Sequence, residues 1–221
     1  PVEMTRPHLR IAGLASSKQA WHWSSAGLKE PRCIVANERD DWIQLAGSMP
    51  HFLSSGDGDD LVHASQAGSI VLLGSGDDAF SATRNAPASV RGGDGKDRIS
   101  TSSLDDHVDS GAGNDVIIAR EGNDIVLAGA DDDFIDAGPG DDQIFPGSGR
   151  NYVIAGSGDD QVIFSHACEL RSGSVVLGGP GNDTLVLPVS KQEAERSGLR
   201  FIGFESIVEN AVRHSRFSDC E

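Results

Sequence analysis

The sequence predicts an all-β fold, a parallel β-solenoid of nine-residue repeats with a capping segment at each end. The composition argues against a thick layered core, because only 38% of the 221 residues are hydrophobic and 5% are aromatic. Glycine is concentrated between residues 55 and 187, which hold 22 of the 27 glycines. Aliphatic residues recur there every nine residues, and a fixed repeat period is the sequence signature of a stacked architecture.

The negative charge lies in the same segment as the glycines. Residues 55–187 contain 21 Asp, 2 Glu and 7 Lys or Arg, which accounts for the whole net charge of -16. The 11 acidic and 11 basic residues of the flanks cancel. A nucleic-acid-binding chain needs the opposite sign of charge, and no apolar run approaches the roughly 18 residues that a membrane-spanning helix requires. We therefore expect no nucleic-acid partner and no transmembrane segment.

Six nine-residue units run without a gap from Ser110, namely SGAGNDVII, AREGNDIVL, AGADDDFID, AGPGDDQIF, PGSGRNYVI and AGSGDDQVI. The register extends backwards to units that begin at residues 101, 92, 83, 73, 64 and 55, with one additional residue near Ala82. Forwards, a five-residue insertion from Phe164 to Cys168 precedes units at residues 169 and 178. The repeat block at residues 55–187 therefore has about fourteen units.

The eighth position is apolar in all fourteen units, as expected if the last three residues of a unit form a short strand with its central side chain inside. These residues are Val62, Val71, Phe80, Val90, Ile99, Val108, Ile117, Val126, Ile135, Ile144, Val153, Val162, Val176 and Leu185. Two units make one eighteen-residue coil. The stacked coils are therefore predicted to form two parallel sheets that enclose a single file of aliphatic side chains.

Glycine and acidic residues occupy the predicted turns. Glycine at the second and fourth positions permits positive φ and close approach of backbones, whereas Asp or Asn at the fifth and sixth positions favours turns. The sixth position is Asp in ten units. In a parallel stack, Asp side chains eighteen residues apart face one another at about 4.8 Å. Such a column of carboxylates repels itself unless a positive charge lies between its members.

The repeated aspartates predict calcium sites. Oxygen ligands without regularly spaced His or Cys favour Ca²⁺ over zinc, copper or iron, and Mg²⁺ is less suited because it demands compact octahedral geometry. The alternative is a metal-free solenoid with ordinary Asp and Gly turns, which does not explain why both partners of eight stacked pairs carry Asp. The fifth-position acids are interpreted as solvated turn residues; they include Asp59, Asp77, Asp132, Asp141 and Asp159.

The repeat block resembles the repeats-in-toxin (RTX) proteins, whose nonapeptide G-G-x-G-x-D-x-U-x has its full double glycine in the units at Gly92 and Gly178. This resemblance implies a right-handed parallel β-roll in which each Ca²⁺ lies between turns of adjacent coils and binds Asp carboxylates and backbone carbonyls. It implies metal-binding aspartates at Asp60, Asp78, Asp97, Asp115 and Asp133 on one edge, and at Asp106, Asp124, Asp142, Asp160 and Asp183 on the other. The glycines that it implies in the metal-binding turns are Gly56, Gly58, Gly74, Gly76, Gly93, Gly95, Gly111, Gly113, Gly138, Gly140, Gly156, Gly158, Gly179 and Gly181.

The number of sites follows from the neighbouring Asp pairs. Four pairs on each edge predict about eight calcium ions, whose charge would cancel that of the block. Asp133 facing Asn151 is a candidate ninth, weaker site. Asp160 and Asp183 form the weakest of the eight pairs, because the insertion lies between them.

The two flanks are predicted to be caps, because the end of a solenoid exposes apolar side chains and unpaired strand edges. Residues 1–54 are expected to form an N-terminal cap or small β unit, with a carbohydrate-facing cluster of Trp21, Trp23 and Trp42 as the alternative interpretation. Residues 188–221 are expected to form a C-terminal cap. Within it, the sequence predicts a short helix over 190–198 and a strand over 201–210.

These features predict a calcium-binding module that folds on Ca²⁺ binding, as part of a secreted bacterial toxin, adhesin or other exoprotein. The resemblance further implies type I secretion and an extracellular or cell-surface location. A module that binds polysaccharide or a host surface, as in adhesins and epimerase-like enzymes, is the alternative. No G-x-S-x-G or H-E-x-x-H motif is present, so we expect no enzyme activity. Cys33, Cys168 and Cys220 are too sparse for a disulfide framework or a zinc site.

Overall fold

The fold is described from a computed structural model of the chain. It describes residues 8–10, 21–24, 33–36, 38–47, 49–65, 68–83, 85–170 and 173–210, with only the backbone described at 8–10 and 21–23. Trp21 and Trp23 therefore lie outside the side chains that the structure describes, and Cys220 lies outside the described residues altogether.

The described chain forms two parallel sheets of short strands that alternate along the sequence. The 11-stranded sheet contains β1 (His8–Arg10), β3 (Cys33–Val35), β5 (Phe52–Asp57), β7 (Ser69–Ser75), β9 (Ala88–Asp94), β11 (His107–Ala112), β13 (Ile125–Leu127), β15 (Gln143–Phe145), β17 (Gln161–Ile163), β19 (Thr184–Leu187) and β21 (Ser206–Glu209). The 10-stranded sheet contains β2 (Trp21–Ser24), β4 (Asp41–Leu45), β6 (Leu61–Ala64), β8 (Ala79–Ala82), β10 (Arg98–Ser100), β12 (Val116–Ile118), β14 (Phe134–Pro139), β16 (Tyr152–Ser157), β18 (Val175–Leu177) and β20 (Arg200–Ile202).

The pairing register confirms the predicted parallel β-solenoid. Each strand pairs with the strand one coil away, so that Val116 lies beside Phe134 and Phe134 beside Tyr152. The insertion predicted after Phe164 forms a short 3-10 helix at Ala167–Glu169, and the pairing resumes beyond it, with Tyr152 beside Val175. The coils therefore remain stacked across the insertion.

The core is a narrow column between the two sheets. All fourteen predicted eighth-position residues are buried, with at most 2% of their surface exposed. A second inward file, made by the first residues of many units, lies beside them and includes Ala119, Ala128, Ala137 and Ala155. The prediction of a single aliphatic file is thus incomplete, because small first-position side chains also face inward.

Both flanks contribute strands to the same sheets. In the N-terminal segment, Ile34, Ile43 and Leu53 are buried within β3, β4 and β5 and continue the inward file. The C-terminal segment contains the expected helix as α1 (Lys191–Ser197), which begins with a Ser190 capping box and ends at Gly198 in a left-handed conformation. Within the described ranges, no helix has the length and apolar character needed to cross a membrane.

Candidate metal centre

The sixth-position aspartates line the two edges of the solenoid as two rows. The first row precedes the strands of the 10-stranded sheet and consists of Asp60, Asp78, Asp97, Asp115 and Asp133. The second row precedes the strands of the 11-stranded sheet and consists of Asp106, Asp124, Asp142, Asp160 and Asp183. All ten are buried, with at most 4% of their surface exposed. The structure therefore brings the predicted site aspartates together in two columns.

One carboxylate oxygen of each aspartate bonds to the neighbouring coil. The backbone N–H of Asp60 donates to Oδ1 of Asp78 at 2.7 Å, and the same bond recurs up the first row. In the second row, the N–H of Asp124 donates to Oδ1 of Asp142 at 2.7 Å. The N–H of Asp160 still donates to Oδ1 of Asp183 at 3.0 Å, across the insertion. The pair expected to be the weakest therefore has the same backbone contact as the others.

The second carboxylate oxygen has no partner in nine of the ten aspartates. Buried Oδ2 atoms without a hydrogen bond occur at Asp60, Asp78, Asp97, Asp115, Asp133, Asp124, Asp142, Asp160 and Asp183. A buried polar atom left unpaired is costly, and a buried charge without a partner is more so. Nine unpaired oxygens at the same position of the repeat indicate binding sites in which a bound ion, rather than a protein group, supplies the missing partner.

Burial raises the pKa of these carboxyl groups. The pKa rises from its ordinary value of 3.8 to about 7 at Asp60 and Asp97, and to about 8 at Asp124 and Asp133. Loss of water is the largest cause, backbone hydrogen bonds oppose it, and repulsion from neighbouring carboxylates adds to it. A cation between the carboxylates would reverse this penalty by favouring the charged form.

Glycine at the second and fourth positions lets adjacent turns approach closely. Thirteen of the fourteen predicted glycines have φ between 104° and 145°, and Gly181 is the exception. A Cβ atom at Gly74 would collide with the carbonyl oxygen of Gly56 in the preceding coil. The tight stacking of the turns therefore depends on the absence of side chains at these positions.

Carbonyl oxygens converge with the unpaired carboxylate oxygens. A Cβ at Gly92, the first residue of its turn, would meet both Oδ2 of Asp97 and the carbonyl oxygen of Ser110. A Cβ at Gly178 would likewise meet Oδ2 of Asp183 and the carbonyl oxygen of Gly203. The two nearest atoms at each of these positions are a carboxylate oxygen and a carbonyl oxygen, which are the donor types that calcium prefers. The residues present therefore fit a calcium ion.

Two turns show how the protein completes such a position without a metal. Oδ2 of Asp106 accepts hydrogen bonds from the backbone N–H and the hydroxyl of Ser102, both at 2.9 Å. At Asn151, Nδ2 donates to the carbonyl oxygen of Pro146 at 2.7 Å. The alternative of a metal-free turn fits Asp106 and Asn151. It does not fit the nine aspartates whose Oδ2 is unpaired.

The fifth-position residues form an outer ladder that the sequence did not reveal. Oδ1 of Asp59 accepts the N–H of Asp77 at 2.8 Å, and Oδ1 of Asp141 accepts that of Asp159 at 2.9 Å. These bonds run in the opposite direction to those of the sixth position, because here the carboxylate of one coil accepts from the following coil. The fifth-position acids therefore have a structural role as well as exposure to solvent.

The structure adds sixth-position residues outside the predicted repeat block. The N–H of Asp41 donates to Oδ1 of Asp60 at 2.8 Å, which extends the first row by one coil. The second row ends at Glu205, whose Oε2 accepts the N–H of Asp183 at 2.8 Å. The dipeptide Asp40-Asp41, two residues before the buried Ile43, is the sequence signal that could have identified the additional unit.

Among the described histidines, His51 lies at a sixth position on the second edge, where its backbone N–H donates to the hydroxyl oxygen of Ser69 at 3.3 Å. His63 contacts the hydroxyl of Ser81 at 2.9 Å on the strand beside the turn. Cys33 is a free thiol, and Cys168 is disulfide-bonded. Within the described ranges, no three His, Cys, Asp or Glu side chains are grouped so that they alone could hold a metal ion. Any site in the turns must therefore combine carboxylate and carbonyl oxygens from successive coils.

Comparison with protein families identifies the repeats. Residues 91–126, 118–153 and 136–164 match the family model described as RTX calcium-binding nonapeptide repeat (4 copies). These ranges cover residues 91–164, about one third of the chain. No curated protein matches the chain.

Proposed function

Residues 91–164 are RTX calcium-binding nonapeptide repeats, and on this premise we propose that the chain is a module that folds when calcium occupies its turns. The observation that carries the proposal is the set of nine buried, unpartnered Oδ2 atoms. At Asp97 and Asp183, a carbonyl oxygen of the adjacent coil converges on the same position. Calcium supplies the positive charge and the additional coordination that these oxygens lack.

The free-energy balance explains why folding would depend on the metal. Ordering the backbone costs roughly 1 to 2 kcal/mol per residue, and this narrow core offers only one or two buried apolar side chains in a typical unit to offset it. Without a cation, folding also buries the two rows of carboxylates with no positive charge to compensate them. Binding of calcium to the folded state but not to the unfolded chain adds the missing stability. We propose about eight ions.

The biological setting of the proposal is a protein secreted by a bacterium. The cell interior is poor in calcium and the exterior is rich in it, so the chain would stay unfolded inside and fold after export. A type I secretion route, an extracellular location and a toxin or adhesin as the parent protein belong to this proposal. That the module itself catalyses no reaction is also part of it.

Far-ultraviolet circular dichroism of the chain tests calcium-dependent folding. We expect a disordered spectrum in chelator and a β spectrum in millimolar calcium, with magnesium at the same ionic strength as the control. Magnesium should restore little β signal because it retains its waters and demands octahedral geometry. An identical β spectrum in chelator and in calcium would refute the proposal.

Binding to polysaccharide or a host surface stays a prediction. Its support in the sequence is the tryptophan cluster, and the side chains of Trp21 and Trp23 lie outside those that the structure describes. Glycan binding that is lost on changing both residues to Ala, with the fold intact, would favour this alternative.

A further inference from the structure

We infer that the calcium sites form two rows that are offset along the solenoid, so that each half is held by calcium on one edge and by protein hydrogen bonds on the other. This inference rests on the proposed function. The unpaired Oδ2 atoms of the first row run from Asp60 to Asp133, and those of the second row run from Asp124 to Asp183. The two sets overlap only in the middle of the solenoid.

The second row begins with turns that need no metal. Asp106 is the one member of the ten whose Oδ2 is paired, because Ser102 donates to it twice. Its Oδ1 accepts the N–H of Ala88, which replaces Asp at the preceding sixth position. One coil earlier, the hydroxyl oxygen of Ser69 accepts the N–H of His51 at 3.3 Å. Protein groups therefore replace the carboxylates in the N-terminal half of this edge.

The first row ends in the same way. Oδ1 of Asn151 accepts the N–H of Asp133 at 2.9 Å, as an aspartate would. Its Nδ2, however, donates to the carbonyl oxygens of Pro146 and Gly147 within its own turn. The amide nitrogen thus has protein partners within the turn, whereas the corresponding oxygen of the aspartates in this row has none. In the next coil, the hydroxyl oxygen of Ser174 accepts the N–H of Asn151 at 3.2 Å.

The charge of the fifth-position residue does not explain why the turn of Asn151 differs from those of the aspartates. Arg150 precedes Asn151 and pairs with Asp132 at 2.6 Å, so a basic side chain lies beside this turn. Lys96 occupies the same position before Asp97, and Oδ2 of Asp97 is nevertheless unpaired. The charge of the fifth residue therefore does not decide whether a turn requires a cation. What distinguishes the turns is whether a protein group already pairs with the second polar atom of the sixth side chain, as at Asp106 and Asn151. On this inference, Asn151 contributes no ligand to the weak ninth site expected where it faces Asp133.

Changing Asn151 to Asp tests the inference by adding a site. In Asn151→Asp, a carboxylate oxygen replaces Nδ2 and faces the two carbonyls, so calorimetric titration should count one more calcium ion per chain than in the unmodified protein. The matched control is Asn114→Asp on the same edge, an exposed fifth-position residue whose Oδ1 accepts the N–H of Asp132. It adds the same charge and should add no ion.

The outcomes separate the inference from the proposed function. If the unmodified chain binds no calcium, the proposed function fails. If it binds calcium but Asn151→Asp binds the same number of ions, or Asn114→Asp also gains one, the offset arrangement is refuted.

If Asn151→Asp does not fold, a second pair of variants tests which turns of the second row bind calcium. Asp106→Asn should retain the number of ions of the unmodified chain, because Asp106 is already satisfied by Ser102. Asp124→Asn, the next member of the same row, should lose at least one ion because its Oδ2 is unpaired. Loss of an ion in Asp106→Asn would overturn the inference.

Discussion

At the scale of the residue, each sixth-position aspartate uses its two oxygens differently. Oδ1 of Asp142 accepts the backbone N–H of Asp124, a bond that aligns one coil on the next. Oδ2 of Asp142 has no partner in the protein. An amide could supply the first contact but not the second. This division explains why Asn occurs at a sixth position only where its Nδ2 finds carbonyl acceptors, as at Asn151.

Exchanging Asp for Asn at adjacent positions separates the two roles. Asp142→Asn keeps an oxygen that can accept the N–H of Asp124 but removes the unpaired carboxylate oxygen. We therefore expect this variant to bind at least one calcium ion fewer and to have a lower melting temperature in calcium. Asp141→Asn, at the exposed fifth position, keeps the acceptor for Asp159 and should change neither quantity. Calorimetry and thermal denaturation measure both. Equal losses in the two variants would contradict the assignment.

The raised pKa values predict opposite effects of pH on the calcium-free and calcium-bound states. The pKa of Asp124 is about 8 in the folded state and 3.8 as its ordinary value, so the folded state binds more protons between these limits. Stability of a calcium-free fold therefore falls as pH rises from about 4 to about 8. Calcium competes with these protons, so its affinity should rise over the upper part of the same range.

Calcium titrations at two pH values test this linkage. We expect an apparent affinity at least about tenfold lower at about pH 6 than at about pH 8, because several protonated carboxyls must release a proton on binding. Asp97, with a pKa of about 7, and Asp133, with a pKa of about 8, titrate within this interval. An affinity independent of pH would indicate that calcium binds away from these carboxylates.

At the scale of the element, the turn is defined by backbone shape as much as by its acids. Arg120 and Asp131 replace glycine at a second and a fourth position and still have φ of 83° and 81°. Such conformations are strained for residues with a side chain. The stacking of neighbouring turns thus imposes the left-handed conformation even where the sequence lacks glycine.

Two glycine substitutions distinguish backbone strain from collision between coils. Gly68 has φ of 74°, and a Cβ there would lie 3.5 Å from Cβ of Pro50, so Gly68→Ala should cost about 1 kcal/mol through strain alone. Gly74→Ala adds a collision with the carbonyl oxygen of Gly56, and we expect a cost of about 3 kcal/mol. Denaturant unfolding in saturating calcium measures both. Equal costs would show that the coils separate easily.

The sequence predicts the strands and the two rows well because the eighth and sixth positions permit few substitutes. An inward strand centre must be apolar, so Val62 to Leu185 reveal the register even in units without Asp. The units around Asp41 and His51 were missed because they have lost most of their turn glycines. The pairing of Asp106 with Ser102 depends on how a turn without glycine folds, and residue types alone do not specify that.

At the scale of the whole molecule, the net charge and the fold are linked through the metal. The block that carries the charge of -16 is also the block whose aspartates become buried in rows. Each strand of the two sheets pairs with strands of the adjacent coils. The stability of the stack is therefore a sum of contacts between adjacent coils, many of which include an unpaired carboxylate oxygen.

This linkage predicts that stability depends strongly on calcium concentration. The melting temperature should rise continuously with free calcium, because several ions bind the folded state and none binds the unfolded chain with comparable affinity. Increasing sodium chloride should not replace calcium, since screening weakens repulsion between exposed charges but supplies no ligand to buried oxygens. Thermal denaturation across a calcium series checks this. A melting temperature that responds equally to both salts would favour general screening.

The most direct test of calcium binding in the turns is a crystal structure determined in calcium with anomalous diffraction data. We predict anomalous peaks inside the turns beside the unpaired Oδ2 atoms, from Asp60 to Asp133 on one edge and from Asp124 to Asp183 on the other. The turns of Asp106 and Asn151 should lack a peak. Turns that contain only water, or calcium bound solely at the exposed fifth-position acids, would contradict the account.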